Sequence, residues 1–283
     1  MRLFILGFGY SAGHFVRRFG GSFSHIAGTV RDPAKRQGVA GFEAHSFSGS
    51  SPDCETVERV RDADVLLVSI PPGSAGDPAI ATFANVLASG RRRKIIYLST
   101  LGVYGDHGGA WVDESTPPRA TLERTRMRLA AEHAWMAAGR GDVAVLRLAG
   151  IYGPGRNALA TLRAGTARRI IKPGQVFNRI HVDDIAGAIM ATVRHQGGGT
   201  WNVCDDEPAP PQDVIAYAAK LAGIAPPAEE AFETAEMSAM ARSFYAGNAR
   251  VSNAKLKREL GVTLAYPTYR QGLDALWDAG EGR

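Results

Sequence analysis

A glycine-rich turn near the N-terminus is the first candidate site in this 283-residue chain. The turn follows the apolar run Leu3–Leu6 directly and precedes a stretch with helical spacing. In that context the pattern G-x-G-x-x-A is typical of dinucleotide binding, because the glycines let the backbone approach a pyrophosphate and the helix N-terminus attracts its charge. We expect six consecutive residues to contact the cofactor, namely Gly7, Phe8, Gly9, Tyr10, Ser11 and Ala12.

Arg31 indicates which dinucleotide is bound. It follows the predicted second strand about 20 residues past the glycines, where NAD-binding proteins usually carry an acidic residue that accepts from the ribose. A guanidinium instead donates a fork of hydrogen bonds to a 2′-phosphate, and the Thr29 hydroxyl could add another. We therefore expect NADP rather than NAD. Asp32 could still bind the ribose, and a solvated loop arginine is the plain alternative.

Apolar segments separated by helical stretches must position these loops. They lie at 3–6, 25–30, 42–47, 64–69, 94–99 and 143–148. Strands that alternate with helices predict the α/β class with a Rossmann-type, doubly wound parallel sheet. Ligands bind at the C-terminal ends of such strands, so the predicted cofactor site also includes Ser69, Ile70, Pro71 and Ile151.

The pattern changes after Gly155. We expect a dinucleotide-binding domain over 1–155 and a smaller, mixed C-terminal substrate lobe over 156–283, with one strand near 200–204 that could return to the main sheet. Pro173-Gly174 between alternating apolar residues predicts a hairpin, which would carry Asn178 and Arg179 to the substrate pocket.

Composition narrows the class of protein. The net charge is +5, but the basic residues are scattered, which argues against a nucleic-acid partner. Cys54 and Cys204 lie far apart without metal-ligand spacing, so we expect no disulfide and no metal site. The chain shows no secretory signal and no apolar run of membrane-spanning length, which predicts a cytoplasmic protein that acts on a small molecule.

Three further motifs, together with the glycine turn, resemble the extended short-chain dehydrogenase/reductase family, of the NAD(P)-dependent nucleotide-sugar epimerase/dehydratase type. They are LSTLGVYG at 98–105, RLAGIYGPG at 147–155 and RIHVDDIA at 179–186. The resemblance covers most of the chain and is closest to an atypical, epimerase-like branch. It implies a Rossmann domain, a small substrate domain and, in many members, a homodimer.

This chain differs from the family at the positions of the catalytic tyrosine and lysine. Alignment on Leu129-Ala130-Ala131-Glu132 puts Arg124 at the tyrosine position and Arg128 at the lysine position. A tyrosine gives and takes a proton, whereas an arginine stays protonated and cannot. Arg128 could still hold a ribose hydroxyl of the cofactor or an anionic substrate, and a plain basic helix face shared with Arg126 is the alternative.

Ser99 keeps the position where the resemblance implies a hydroxyl bonded to a substrate carbonyl, and Thr100 could share that role. Tyr104 is the aromatic hydroxyl nearest this loop and is either a substitute acid or a packing residue. Two functions stay open. The Ser99 loop favours an NADP-dependent oxidoreductase or epimerase-like enzyme that acts on a small carbonyl or nucleotide-linked substrate. The arginine pair favours a non-catalytic NADP-binding sensor or regulatory protein.

Overall fold

A central sheet of parallel strands organises the chain, which the computed structural model describes at residues 1–32, 41–89, 92–139 and 142–283. The strands of this sheet are β1 Arg2–Leu6, β2 His25–Val30, β3 Phe42–Ser46, β4 Val65–Val68, β5 Lys94–Thr100, β7 Val143–Leu148 and β11 Gly199–Val203. Their spatial order is β11-β7-β5-β4-β1-β2-β3. The strand order reverses beside β1, which places a ligand crevice at the glycine turn. The predicted α/β class with a Rossmann-type sheet is confirmed.

Helices cover both faces of the sheet, because the strands of a parallel sheet are buried on both faces. One face packs Leu3 and Ile5 of β1 with Phe15 and Ile189, and the other packs Leu66 of β4 with residues of the opposite helix layer. The helices are α1 Tyr10–Phe19, α2 Cys54–Asp62, α3 Pro78–Ser89, α4 Glu123–Ala138, α5 Ala158–Arg163, α6 Val182–Arg194, α7 Pro211–Leu221, α8 Ala239–Ser243, α9 Ala254–Leu260 and α10 Tyr269–Asp278.

Short parallel pairs complete the described fold. Their strands are β6 Trp111–Val112 with β13 Arg250–Val251, β8 Gly150–Tyr152 with β10 Arg179–His181, and β9 Arg169–Ile171 with β12 Glu229–Ala231. Helices α5, α7 and α10 build a separate apolar core around Tyr269 and Leu273. Although α6 and β11 follow residue 155, α6 packs on α1 and β11 pairs with β7. The boundary at residue 155 stays a prediction.

The predicted hairpin around Pro173-Gly174 is wrong. The turn itself forms, since Gly174 has φ +73° and the Gln175 N–H donates to the Lys172 carbonyl over 3.1 Å. However, β9 and β10 on either side of it do not pair with each other, because their backbone groups bond to β12 and β8 instead. A Pro-Gly dipeptide specifies a turn but not the partner of the strand that follows it.

No helix in the described ranges is long and apolar enough to cross a membrane.

Candidate functional site

The glycine turn after β1 is held in place by β2 and by the residue after β4. The Gly7 N–H donates to Thr29 Oγ1 over 2.9 Å, and the Phe8 N–H donates to the Thr29 carbonyl over 2.8 Å. Gly7 has φ +93°, and a Cβ atom there would lie 2.9 Å from Ile70 Cγ1. The turn therefore needs glycine at position 7. Because the Thr29 oxygen already accepts from the turn, Thr29 has a structural task here, and its predicted contact with a cofactor phosphate stays a prediction.

Open space and unpaired N–H groups meet at Gly9. Gly9 is the N-cap of α1, and no side chain among the described residues caps this end of the helix. The first intrahelical bond runs from the Gly13 N–H to the Gly9 carbonyl, so the N–H groups of Tyr10, Ser11 and Ala12 have no acceptor within the helix. A Cβ atom at Gly9 would meet nothing within 4 Å. These groups and this space fit a pyrophosphate at the helix N-terminus.

The remaining predicted cofactor residues lie at the ends of neighbouring strands. Arg31 directly follows β2, is exposed, and forms no ion pair within the described ranges. The backbone N–H groups of Ser69 and Ile70 both donate to the Leu6 carbonyl, which brings the segment containing Pro71 against the glycine turn. Ile151 lies on β8, three residues past β7, and is half-buried. Their contacts with a cofactor stay predictions.

Ser99 belongs to a buried hydrogen-bond network. Its hydroxyl donates to Glu132 of α4, and Glu132 also accepts from Arg147 Nη2 over 2.8 Å and from Arg147 Nε over 3.2 Å. Arg147 Nη1 donates to the Tyr104 oxygen over 3.0 Å, and the Tyr104 hydroxyl donates to Asn202 Oδ1 over 2.9 Å. All five side chains are buried. We call these residues the Ser99 network.

The Ser99 network occupies two of the three hydroxyl groups that are candidates for chemistry from the sequence, those of Ser99 and Tyr104. Burial raises the pKa of Tyr104, although Arg147 and Asn202 act in the opposite direction, so its proton is held more firmly than in water. This arrangement counts against Tyr104 as the substitute acid and favours packing. Thr100 also has a local role, because its hydroxyl oxygen accepts from the Gly102 N–H over 3.1 Å.

Arg124 and Arg128 lie one turn apart on α4 and contact different parts of the molecule. Arg128 Nη1 donates to the Tyr97 hydroxyl and to the Leu98 carbonyl, each over 3.1 Å. Arg124 Nη1 instead donates to Ser243 Oγ at the end of α8 over 2.5 Å. The structure thus brings Arg128 to the end of β5, beside Ser99, and joins Arg124 to the end of α8.

Asn178 and Arg179 bond to backbone groups that follow residue 155 in the chain. The Asn178 amide donates to the Ala249 carbonyl over 2.9 Å and accepts from the Val251 N–H over 2.9 Å. Arg179 Nη1 donates to the carbonyls of Phe177 and Ala209, each over 3.0 Å. Burial lowers the pKa of Arg179, and Asp205 opposes that shift. Both side chains therefore serve backbone contacts, whereas the sequence had assigned them to the substrate.

Sequence reasoning missed Tyr97 and the partners of Ser99. Burial raises the pKa of Tyr97 to about 12, so its hydroxyl stays neutral. The Tyr97 oxygen accepts a hydrogen bond from Arg128 Nη1 and thereby fixes the position of that guanidinium group. Tyr97 lies two residues before Ser99, which puts both on one face of β5. That spacing could have identified Tyr97. Glu132 and Arg147 lie within the quoted motifs, but the motifs did not predict that they contact Ser99 and each other.

A Rossmann-type sheet with a dinucleotide-type glycine turn at its switch point defines the class of protein. A family model described as "NAD dependent epimerase/dehydratase family" matches residues 79–204. These residues carry the domain of that family, which confirms the resemblance to the extended short-chain dehydrogenases/reductases.

Three individual proteins are also similar to this chain. A solved structure of a functionally unknown conserved protein from Silicibacter pomeroyi DSS is 46% identical, has a TM-score of 0.90, and matches over 99% of both chains. Protein YeeZ of Escherichia coli strain K12 is 28% identical over 76% of each chain. A 3-diazoavenalumate denitrifying reductase from a Streptomyces species is 31% identical over 46% of this chain and 45% of its own length.

Proposed function

We propose that the protein is an NADP-dependent reductase of the epimerase/dehydratase family that acts on a small molecule. The observation that carries the proposal is the open space at Gly9 in front of three unpaired N–H groups of α1, next to the glycine turn. Arg31 at the end of β2 supports NADP over NAD, because its exposed guanidinium suits a 2′-phosphate. When bound, the nicotinamide supplies a hydride.

The residues of this chain bind and orient more than they transfer protons. Arg128 is fixed at the end of β5 by Tyr97 and Leu98, where it can hold a ribose hydroxyl of the cofactor or an anionic substrate. The Ser99 network keeps the Ser99 and Tyr104 protons on internal acceptors. Arginine at the family's tyrosine position cannot cycle a proton near neutral pH. The site therefore supports hydride transfer to an acceptor that takes its proton from water or needs none.

Two kinds of acceptor meet this condition in different ways. Hydride addition to a carbonyl gives an alkoxide that must collect a proton, whereas hydride addition to the carbon of a diazonium ion expels dinitrogen and leaves a neutral product. The similar Streptomyces protein is named as a reductase of a diazo compound, which supports reduction as the reaction type. A small carbonyl or nucleotide-linked compound remains the first substrate class that we propose.

A non-catalytic NADP-binding regulatory protein is the second candidate. The Ser99 network favours it, because two hydroxyl groups that could serve catalysis are buried and bonded to internal acceptors. In this alternative the cofactor is a signal rather than a reactant.

Turnover separates the two candidates. The protein is mixed with NADPH deuterated at the transferred position and with aldehydes, ketones and an arenediazonium salt, and product deuterium is measured by mass spectrometry. The Gly9→Val variant is the control for reduction without enzyme. Deuterated product that requires Gly9 supports the reductase. NADPH binding without deuterated product from any acceptor supports the regulatory protein, and no NADPH binding overturns both.

We further propose a homodimer located in the cytoplasm. The dimer rests on the family membership, and light scattering of the purified protein tests it. The proposed location is based on two free cysteines, of which Cys54 is exposed and Cys204 is buried. An exposed free cysteine is typical of a reducing compartment. Fractionation of the producing cells tests the location.

A further inference from the structure

Two guanidinium groups on α4 have only neutral partners. Arg124 donates to the Ser243 hydroxyl over 2.5 Å and to the Ser243 carbonyl over 3.5 Å. Arg128 donates to the Tyr97 hydroxyl and the Leu98 carbonyl. Among the residues that the structure describes, neither arginine has a carboxylate within ion-pair distance. Two positive charges therefore stand one helical turn apart without neutralisation.

Two other arginines of this chain, in contrast, pair with carboxylates. Arg147 pairs with Glu132 over 2.8 Å inside the Ser99 network, and Arg169 of β9 pairs with Glu229 of β12 over 2.7 Å. Half-buried charge without such a partner is unfavourable, so its retention at Arg124 and Arg128 points to an external anion.

An exposed aromatic ring lies against Arg124. Phe244, directly after α8, is 57% exposed, and the Arg124 guanidinium lies 4.8 Å from the centre of its ring. Met240 of α8 is 59% exposed. The contact holds the ring in place while most of it stays accessible. Large exposed apolar groups beside fixed polar groups are typical of ligand sites between lobes.

We propose that the surface formed by Arg124, Arg128 and Phe244 binds the substrate and selects an aromatic anion. The carboxylate or phosphate of the ligand pairs with the two guanidinium groups, whose Cα atoms are about 6 Å apart along the helix. The ring of the ligand packs on Phe244. Because Arg128 also contacts the carbonyl that precedes Ser99, the bound ligand reaches the end of β5. This inference rests on the proposed reductase site and names its substrate class.

Calorimetric titration of the NADPH-loaded protein tests this specificity. The probes are benzoate, phenyl phosphate, cyclohexanecarboxylate and the neutral benzamide. We expect the aromatic anions to bind at least tenfold more tightly than benzamide, because charge-assisted hydrogen bonds are stronger than neutral ones. The tighter of benzoate and phenyl phosphate identifies the anion as carboxylate or phosphate. Binding of benzamide as tight as benzoate overturns the proposal.

Variants of α4 and Phe244 assign the binding to these residues. Arg124→Gln should weaken benzoate binding about tenfold or more, and Arg124→Lys should retain part of it. Phe244→Ala should weaken benzoate more than cyclohexanecarboxylate. Arg126→Gln is the matched control, because Arg126 is an exposed arginine on the same helix that donates to the Thr121 carbonyl. Equal effects of Arg124→Gln and Arg126→Gln contradict the inference.

Failure of the inference and failure of the proposed function are distinguishable. If NADPH binds and no anion binds, the cofactor site stands and the substrate surface is rejected. If NADPH does not bind, the reductase is rejected, and the same titrations on the unloaded protein still decide whether the two arginines and Phe244 form an anion site. Circular dichroism of each variant confirms that the fold is retained.

Discussion

Removal of the Glu132 carboxylate should destabilise the protein strongly, because Glu132 is the acceptor that neutralises Arg147. The Glu132 side chain is 1% exposed, and it accepts three hydrogen bonds from Arg147 and one from Ser99. A buried charge that loses its partner costs about 3–5 kcal/mol of unfolding free energy. We therefore expect Glu132→Met, which keeps the approximate volume, to lower the unfolding free energy by that amount.

A double substitution separates the charge effect from packing. In Glu132→Met with Arg147→Met both charges are gone, and apolar replacement of a buried ion pair is often nearly neutral. The double variant should therefore be more stable than Glu132→Met alone, even though it carries one more substitution. Ser99→Ala removes only one hydrogen bond of the network and should cost about 1–2 kcal/mol.

Urea unfolding followed by circular dichroism measures these differences. In thermal unfolding, each kcal/mol of lost stability lowers the melting temperature by about 2–4 °C, so that of Glu132→Met should fall by roughly 6–20 °C. A loss below about 1 kcal/mol for Glu132→Met would show that the carboxylate does not hold the buried charge. A double variant less stable than the single one would also refute the reasoning.

Three further predictions concern the cofactor turn, the choice of cofactor and a buried carboxyl. Gly7→Ala should lower stability by about 1–3 kcal/mol in thermal unfolding, because φ is +93° and the new Cβ would approach Ile70, and an unchanged melting temperature would contradict the turn geometry. Arg31→Ala should weaken NADPH about ten- to a hundredfold in calorimetric titration and leave NADH unchanged, and an equal loss for both would reject the phosphate contact. Burial raises the pKa of Asp205 from 3.8 to about 8. Between these two pH values the folded state binds a proton that the unfolded state has lost, so the unfolding free energy falls as the pH rises from the first value to the second. Asp205→Asn should flatten that fall in urea titrations at several pH values, and the same slope in both proteins would argue against a raised pKa.

The sheet could be predicted from the sequence because its signals are local. The central strands β1, β4 and β5 are apolar runs bounded by turn residues, and the turn after β1 requires glycine for reasons of backbone angle and space. The pairing of β9 and β10 could not be predicted in the same way, since the partner of a short strand is set by distant residues. Gly150 and Glu229 lie far from the Pro173-Gly174 turn in sequence.

The site was predictable only in part for the same reason. Ser99 and Arg128 are neighbours in space, as the motifs implied, because α4 packs on β5. The state of the Ser99 hydroxyl depends on Glu132 and on Arg147, which come from two other elements and meet only in the folded sheet. The exposed ring of Phe244 beside Arg124 likewise joins residues 120 positions apart, and no local pattern marks it.

Titration of NADPH into the wild type and into Gly9→Val tests the central claim most directly. The claim is that a nicotinamide dinucleotide binds with its pyrophosphate at the N-terminus of α1. Because a Cβ atom at Gly9 meets nothing within 4 Å, the variant should fold normally while its side chain fills the phosphate space. The account predicts saturable NADPH binding to the wild type and none to a folded Gly9→Val. Equal NADPH affinity of the two proteins would contradict it.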